Sequence, residues 1–214
     1  MQLFKIGTLA FATSILVGCG SGSGSGQSEV PPLLGPGATE AEAIAAIDAL
    51  EAEVDGVFRA DGTTGYTALP TGSATYTGLI YGSEIAGGGG PGPDMDYTAD
   101  LDLTVDFKTA GVTGQIYNFV TNVTDFENPT GTIDVTGDVG DGTPDAEISF
   151  AGIGVLTGTN GVTANYHLVR ANGVFGGTDG SVMTGSQETD IEWLAGPDIG
   201  TTSWSDGGFA ATRD

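Results

Sequence analysis

The clearest pattern along the chain is an alternation over residues 97–107. Tyr97, Ala99, Leu101, Leu103, Val105 and Phe107 alternate with Thr98, Asp100, Asp102, Thr104 and Asp106. A period of two puts every second side chain on the same face of a strand, so the apolar set faces a core and the aspartates face water. Gly111 then turns the chain, and residues 112–120 predict a returning strand. Shorter alternations recur downstream. Ile133 and Val135 sit between Thr132, Asp134 and Thr136; Ala146, Ile148 and Phe150 flank Glu147 and Ser149; Val162, Ala164, Tyr166 and Leu168 flank Thr163, Asn165 and His167. Residues 74–81 predict an opening strand, and 174–175, 183–193 and 208–212 predict closing ones. Glycine-rich turns separate these runs, and the 38 glycines follow no period of three, which excludes a collagen-like chain. The pattern predicts an all-β domain of roughly eight antiparallel strands joined as a meander. Eight such strands can close into a barrel filled by side chains or holding one small ligand; a sandwich is the alternative. The outward positions are Asp and Thr rather than an apolar band, which argues against an integral membrane barrel.

Before the strands the period is 3.6. Residues 38–54 predict one short amphipathic helix, with Thr39 and Glu42 in capping-box spacing and Ile44, Ile47, Leu50 and Val54 on one stripe. Asp55-Gly56 is the expected stop. The helix's polar face is acidic, unlike the basic face of a membrane-surface helix. This divides the chain into a helix and connection over 38–70 and a barrel domain over 71–214.

The first residues read differently again. Lys5 precedes an apolar run of about a dozen residues, short of the ~20 needed to span a bilayer, which is the layout of a secretory signal. The run ends in Leu16-Val17-Gly18-Cys19, and Cys19 is the only cysteine. This sequence resembles a bacterial lipobox, which implies a lipoprotein signal over 1–18, cleavage before Cys19 and acylation (palmitate among the acyl groups) of that residue. Residues 19–37 then form a flexible Gly/Ser/Pro linker, beginning with the repeated Gly-Ser of 20–26. The 18 residues after Cys19 should reach roughly 20–25 Å as a coil. By resemblance to lipoprotein sorting, Gly20 rather than Asp after the cysteine implies the outer membrane, at the cell surface or the periplasmic face.

Charge narrows the partners. With 28 acidic residues against 5 basic ones, the net charge is −23. Such a chain is repelled by phosphate backbones, which excludes nucleic acid, and by anionic bilayers, which leaves anchoring to the lipid. Cationic proteins or cations are suited to it, and so is a salty habitat with no partner at all.

Candidate chemistry is sparse. Asp138, Asp141 and Asp145 around glycines suggest a calcium loop, but the ligand spacing of an EF-hand is broken, and Asp-Gly between two strands is a hairpin signal in itself. Asp94, Asp96, Asp100, Asp102 and Asp106 form an acidic set that reads as a solvated face, with docking of a basic partner as the alternative. His167, the sole histidine, falls at an outward strand position. It cannot form a zinc site alone, and no nucleophile elbow accompanies it; a haem axial ligand is the functional alternative. Tyr76, Tyr81, Trp193 and Trp204 read as core or barrel-mouth residues. No catalytic residue, metal ligand or cofactor is assigned, the ligand-binding residues are unknown, and the chain is expected not to be an enzyme.

Three stretches carry a family resemblance. Gly72-Ser73-Ala74-Thr75-Tyr76-Thr77-Gly78 resembles the opening of the barrel domain of the transferrin-binding protein B family. Leu101-Asp102-Leu103-Thr104-Val105-Asp106-Phe107 with Val112-Thr113-Gly114-Gln115-Ile116 resembles its next hairpin. Gly173-Val174-Phe175-Gly176-Gly177, with Met183 and Gly185, resembles its closing motif, with Gly176 where tyrosine is usual and Thr178 where proline is. The resemblance implies a single eight-stranded barrel on a surface lipoprotein that binds a protein or a small solute, with iron or haem acquisition as one open role; a structural envelope lipoprotein without a dedicated ligand is the alternative. No partner-contacting residue carries over, because the family's contacts lie in loops outside these motifs.

If Cys19 bears the anchor, Cys19→Ser should abolish lipidation, and the protein should leave the membrane fraction on sedimentation. A variant that still sediments with outer membranes at the parental level would place the anchor elsewhere.

Overall fold

Alternation over so many segments commits the chain to a sheet, and the turns decide how it closes. The structure, a computed structural model, describes residues 33–62, 69–84, 96–140 and 147–214. Among these, helix α1 (Glu40–Asp61) precedes eight strands: β1 (Ser73–Glu84), β2 (Tyr97–Asp106), β3 (Gly111–Thr121), β4 (Ile133–Val139), β5 (Glu147–Thr157), β6 (Thr163–Gly176), β7 (Val182–Ala195) and β8 (Thr202–Arg213). Each pairs antiparallel with the next, and β8 returns to β1, closing the barrel. The signal, Cys19, the linker as far as residue 32, Asp94 and residues 141–146 of the acidic turn lie outside the described residues.

The predicted parity of β2 holds at its apolar positions. Tyr97, Ala99, Leu101, Leu103 and Val105 are buried in the interior, with Phe107 packed partly buried against them. The large interior rings Tyr76, Phe119, Tyr166, Phe175, Trp193 and Phe209 are each at most 2 % exposed. They meet in pairs: Tyr76 with Phe175 at 5.8 Å between centroids, Phe119 with Tyr166 at 5.2 Å and Phe126 with Trp193 at 5.0 Å. These are favourable tilted and edge-to-face contacts. Side chains thus pack the interior, as an eight-stranded barrel permits.

Three expectations are corrected. The runs at 162–168 and 174–175 are not separate strands but parts of β6. The register moves from Leu168 opposite Thr189 to Arg170 opposite Glu188, so β6 carries an extra residue there. The bulge flips parity: Leu168 and Ala171, three apart, are both buried. Alternation therefore breaks in the sequence while the strand continues in space.

The helix does not stop at Asp55-Gly56. It runs to Asp61 and is capped by Gly62 (φ 73°), whose N–H bonds to the Phe58 carbonyl. A mid-helix glycine costs only about 1 kcal/mol, and the extra turn gives Phe58 a seat. A Cβ on Gly176 would stand 2.6 Å from the Phe58 ring, so that glycine makes room for it. The capping box is present as predicted, with the Glu42 N–H donating to Thr39 Oγ1 and the Thr39 N–H donating to the Glu42 carboxylate.

The outward face of β2 is not uniformly solvated. Asp100 is fully buried. The chain before α1 lies over it: the Leu34 N–H donates to Asp100 Oδ1 at 2.9 Å. Asn118 donates through Nδ2 to Asp100 Oδ2 at 2.8 Å and to the Leu34 carbonyl at 3.1 Å. Asn118 holds a left-handed backbone (φ 52°) at an irregularity of β3, a conformation asparagine tolerates better than most residues. From here α1 lies on the outer wall, with Leu34, Ala43, Leu50 and Val54 packed on Leu79, Val120, Val182 and Ala210.

Two outcomes test this arrangement. Leu103→Asp should prevent folding, because it buries an unpaired charge. Asp102→Leu, on the outer face, should cost only about 1 kcal/mol for the lost Tyr117 hydroxyl bond; urea denaturation distinguishes them, and equal tolerance would invert the strand parity. The second concerns pH. Burial raises the Asp100 carboxyl above its ordinary value, and the bonds from Asn118 and Leu34 offset this only in part. A carboxyl that holds its proton more tightly when folded stabilises the fold most below its unfolded value, about 4. That contribution is lost as pH rises through the folded value. Relative to the parent, Asp100→Asn should therefore gain stability as pH rises above about 4 and level off once pH passes the folded value; a constant difference would show that Asp100 titrates alike in both states.

Candidate functional site

The barrel has two unlike ends. Where β1, β3, β5 and β7 finish, the interior turns polar. Tyr97 and Tyr166 hydroxyls lie 2.9 Å apart, and Tyr97 is 3.0 Å from Thr189 Oγ1. Thr189 donates to the Gln187 side-chain carbonyl, and Gln187 Nε2 donates to the Tyr81 carbonyl at 3.1 Å. Trp193 Nε1 donates to Ser203 Oγ at 3.1 Å, and Ser205 donates to the Ser83 carbonyl at 3.2 Å. Burial drives the Tyr97 phenol well above its ordinary range and Tyr166 up to about 12. Both stay neutral and serve as donors and acceptors to each other. The network satisfies itself, so it specifies packing rather than chemistry.

Outside this end, a cleft of about 260 Å³ opens between the first half of α1 and strands β1, β2, β3 and β8. Its walls include Ile44, Ile47, Tyr81 and Val120, with Glu40 and Asp96 among its polar residues. Tyr81 and Ile44 correct two expectations. Tyr81, expected in the core or at the barrel mouth, points outward beside the barrel end, and its hydroxyl bonds to Glu51 of α1. Ile44, predicted on the buried stripe, is 51 % exposed. The stripe seats Leu50 and Val54 on the barrel and leaves its N-terminal part beside the cleft.

A second surface lies on the outer wall of β5–β8. Register places Ile153 beside His167, His167 beside Asp190 and Asp190 beside Trp204. Ile153 is 59 % exposed, and Val155, Leu194 and Trp204 are exposed as well. Trp204, expected in the core or at the mouth, therefore faces out from the barrel wall. His167 is outward as predicted, with Nδ1 4.0 Å from Asp190 Oδ2. The other Asp190 oxygen is buried without a hydrogen-bond partner. Burial raises this carboxyl above its ordinary value, His167 opposes the shift and Glu188 adds to it. Beside the pair, Arg170 Nε lies 3.4 Å from Glu188. No sequence signal marked Asp190 or Trp204 as neighbours of His167, because register across three strands is not written in any one of them.

The remaining predicted residues are dispersed. Asp96 exchanges bonds with Asn122, Asp102 accepts from Tyr117, and Asp106 accepts the N–H groups of Lys108 and Thr109. Asp138 belongs to β4 and accepts from Ser149 at 2.9 Å, while Asp141 and Asp145 lie outside the described residues. Among the described residues, no group of three His, Cys, Asp or Glu side chains is placed to hold a metal ion, and no helix is long and apolar enough to cross a membrane. No protein-family model matches the chain, and no curated protein matches it.

Proposed function

We propose that the chain is a lipid-anchored outer-membrane lipoprotein whose barrel is a non-catalytic binding module for a protein partner. The observation that carries this reading is the row Ile153–His167–Asp190–Trp204 on the outer wall. Elsewhere on the wall, apolar outward residues such as Leu79, Val120 and Ala210 are covered by α1; here they stand in water. Isolated exposed apolar side chains are ordinary, but an aromatic and aliphatic set around a polar centre has the composition of an interface. The acidic chain favours a basic partner. The lipobox resemblance and the resemblance to transferrin-binding protein B-like lipoproteins support the same reading. A solute carried within the barrel fits less well, because aromatic side chains and a self-satisfied network occupy the described interior.

Photo-crosslinking in the intact envelope tests this. A photoreactive residue at position 204 or 153 should yield one protein adduct of defined mass, absent when the probe stands at the exposed Thr136 of β4. Moving from about 0.1 M to 1 M salt shortens the screening length from about 10 to 3 Å and should weaken the adduct. The same adducts from position 136 would refute a dedicated surface.

A further inference from the structure

We infer that the cleft between α1 and the barrel end is a second binding site, built for a small amphipathic cation. It does not depend on the β5–β8 surface, with which it shares only β8. Three observations define the ligand. The first is the wall: Ile44 and Ile47, with Tyr81, line an open space that the buried Val120 borders. Ile44 is half exposed although it continues the stripe that elsewhere seats the helix. An apolar body laid against it would complete that stripe's burial.

The second is charge. Glu40 and Asp96 are both among the lining residues, and among the described residues no lysine, arginine or histidine is. Asp96 is held in place by Asn122, whose Nδ2 donates to its carboxylate at 3.2 Å and whose Oδ1 accepts its N–H at 3.0 Å. Glu40 stands in the first turn of α1, beside the capping box of Thr39 and Glu42. In a chain of net charge −23 these carboxylates repel anions and favour an ammonium or guanidinium head. The third is size: at about 260 Å³ the cleft lies at the small end of small-molecule sites, which run from roughly 300 to 1,000 Å³. The site therefore suits a primary amine on a short aliphatic or aromatic body.

Calorimetric titration of the purified chain with n-heptylamine, heptanoate and heptan-1-ol reads these features separately. Heptylamine should bind saturably at one site, roughly tenfold or more tighter than heptanoate, with heptan-1-ol between them. Ile44→Asn, at an exposed position that leaves the fold intact, should weaken heptylamine and heptan-1-ol alike. Glu40→Gln with Asp96→Asn should bring heptylamine down to the level of heptan-1-ol. Ile153→Asn, on the other surface, should change nothing, which separates this site from the protein-binding reading. Equal affinity for amine and carboxylate, or an affinity that Ile44→Asn leaves unchanged, would overturn the inference. Weakening by Ile153→Asn as strong as by Ile44→Asn would do so too, since it would reduce binding to general attraction by the acidic surface.

Discussion

Closure of β1 against β8 is the contact on which the rest of this structure depends. Without it the sheet would present two open edges, and the interior set on β2 would lose its opposite wall. The seam runs from Tyr76 opposite Arg213 to Glu84 opposite Ser205, and small residues let it form. A Cβ on Gly78 would stand 2.0 Å from the Ala210 carbonyl oxygen, and one on Gly207 would stand 2.0 Å from that of Tyr81. Neither contact can relax by moving a flexible side chain, because backbone occupies the space. The high glycine content is thus spent partly on turns and partly on the close approach of strands inside a narrow barrel. Helix α1 then crosses this seam, packing on Leu79 of β1 and Ala210 of β8.

The helix divides the outer wall into two regimes. Under it, outward apolar residues are sealed, and beneath the chain that leads into it Asp100 is removed from water with its two carboxylate oxygens bonded by Leu34 and Asn118. Away from it, Ile153, Val155 and Trp204 remain open and Asp190 keeps a buried oxygen without a partner. Two carboxyls on outward strand positions are both raised by burial, yet one is satisfied within the fold and the other is not. A buried acceptor without a partner costs stability, so the two carboxyls differ in how well the fold satisfies them.

The net charge of −23 shapes both surfaces. It discourages self-association of the exposed row, favours basic partners over acidic ones and makes any such contact sensitive to salt. It also explains why the few cations are placed beside acids: Arg59 by Asp55, Arg170 by Glu188 and Arg213 by Asp179. These pairs are exposed or partly so and add little to stability, but they leave few free positive charges to compete for the carboxylates at the cleft and along β7.

The sequence by itself determined the elements that local chemistry governs. Alternation from Tyr97 to Val105 set the buried face of β2, Thr39 and Glu42 set the helix start, and the outward position of His167 followed from its strand. Antiparallel pairing was legible as well, because the strands follow one another with no helical pattern between them, and the closed barrel was one of the two architectures this left open. Only the tertiary structure decided what lies on the outer face of each strand. Alternation reports that Asp100 points away from the interior, but not that Leu34 and Asn118 cover it. It places Ile44 on an apolar stripe, but not which half of that stripe reaches the barrel. It breaks at the β6 bulge although the strand continues. It cannot bring Ile153, His167, Asp190 and Trp204 into one row. Each of these outcomes depends on register and docking between segments far apart in the chain, and a local period carries no information about either.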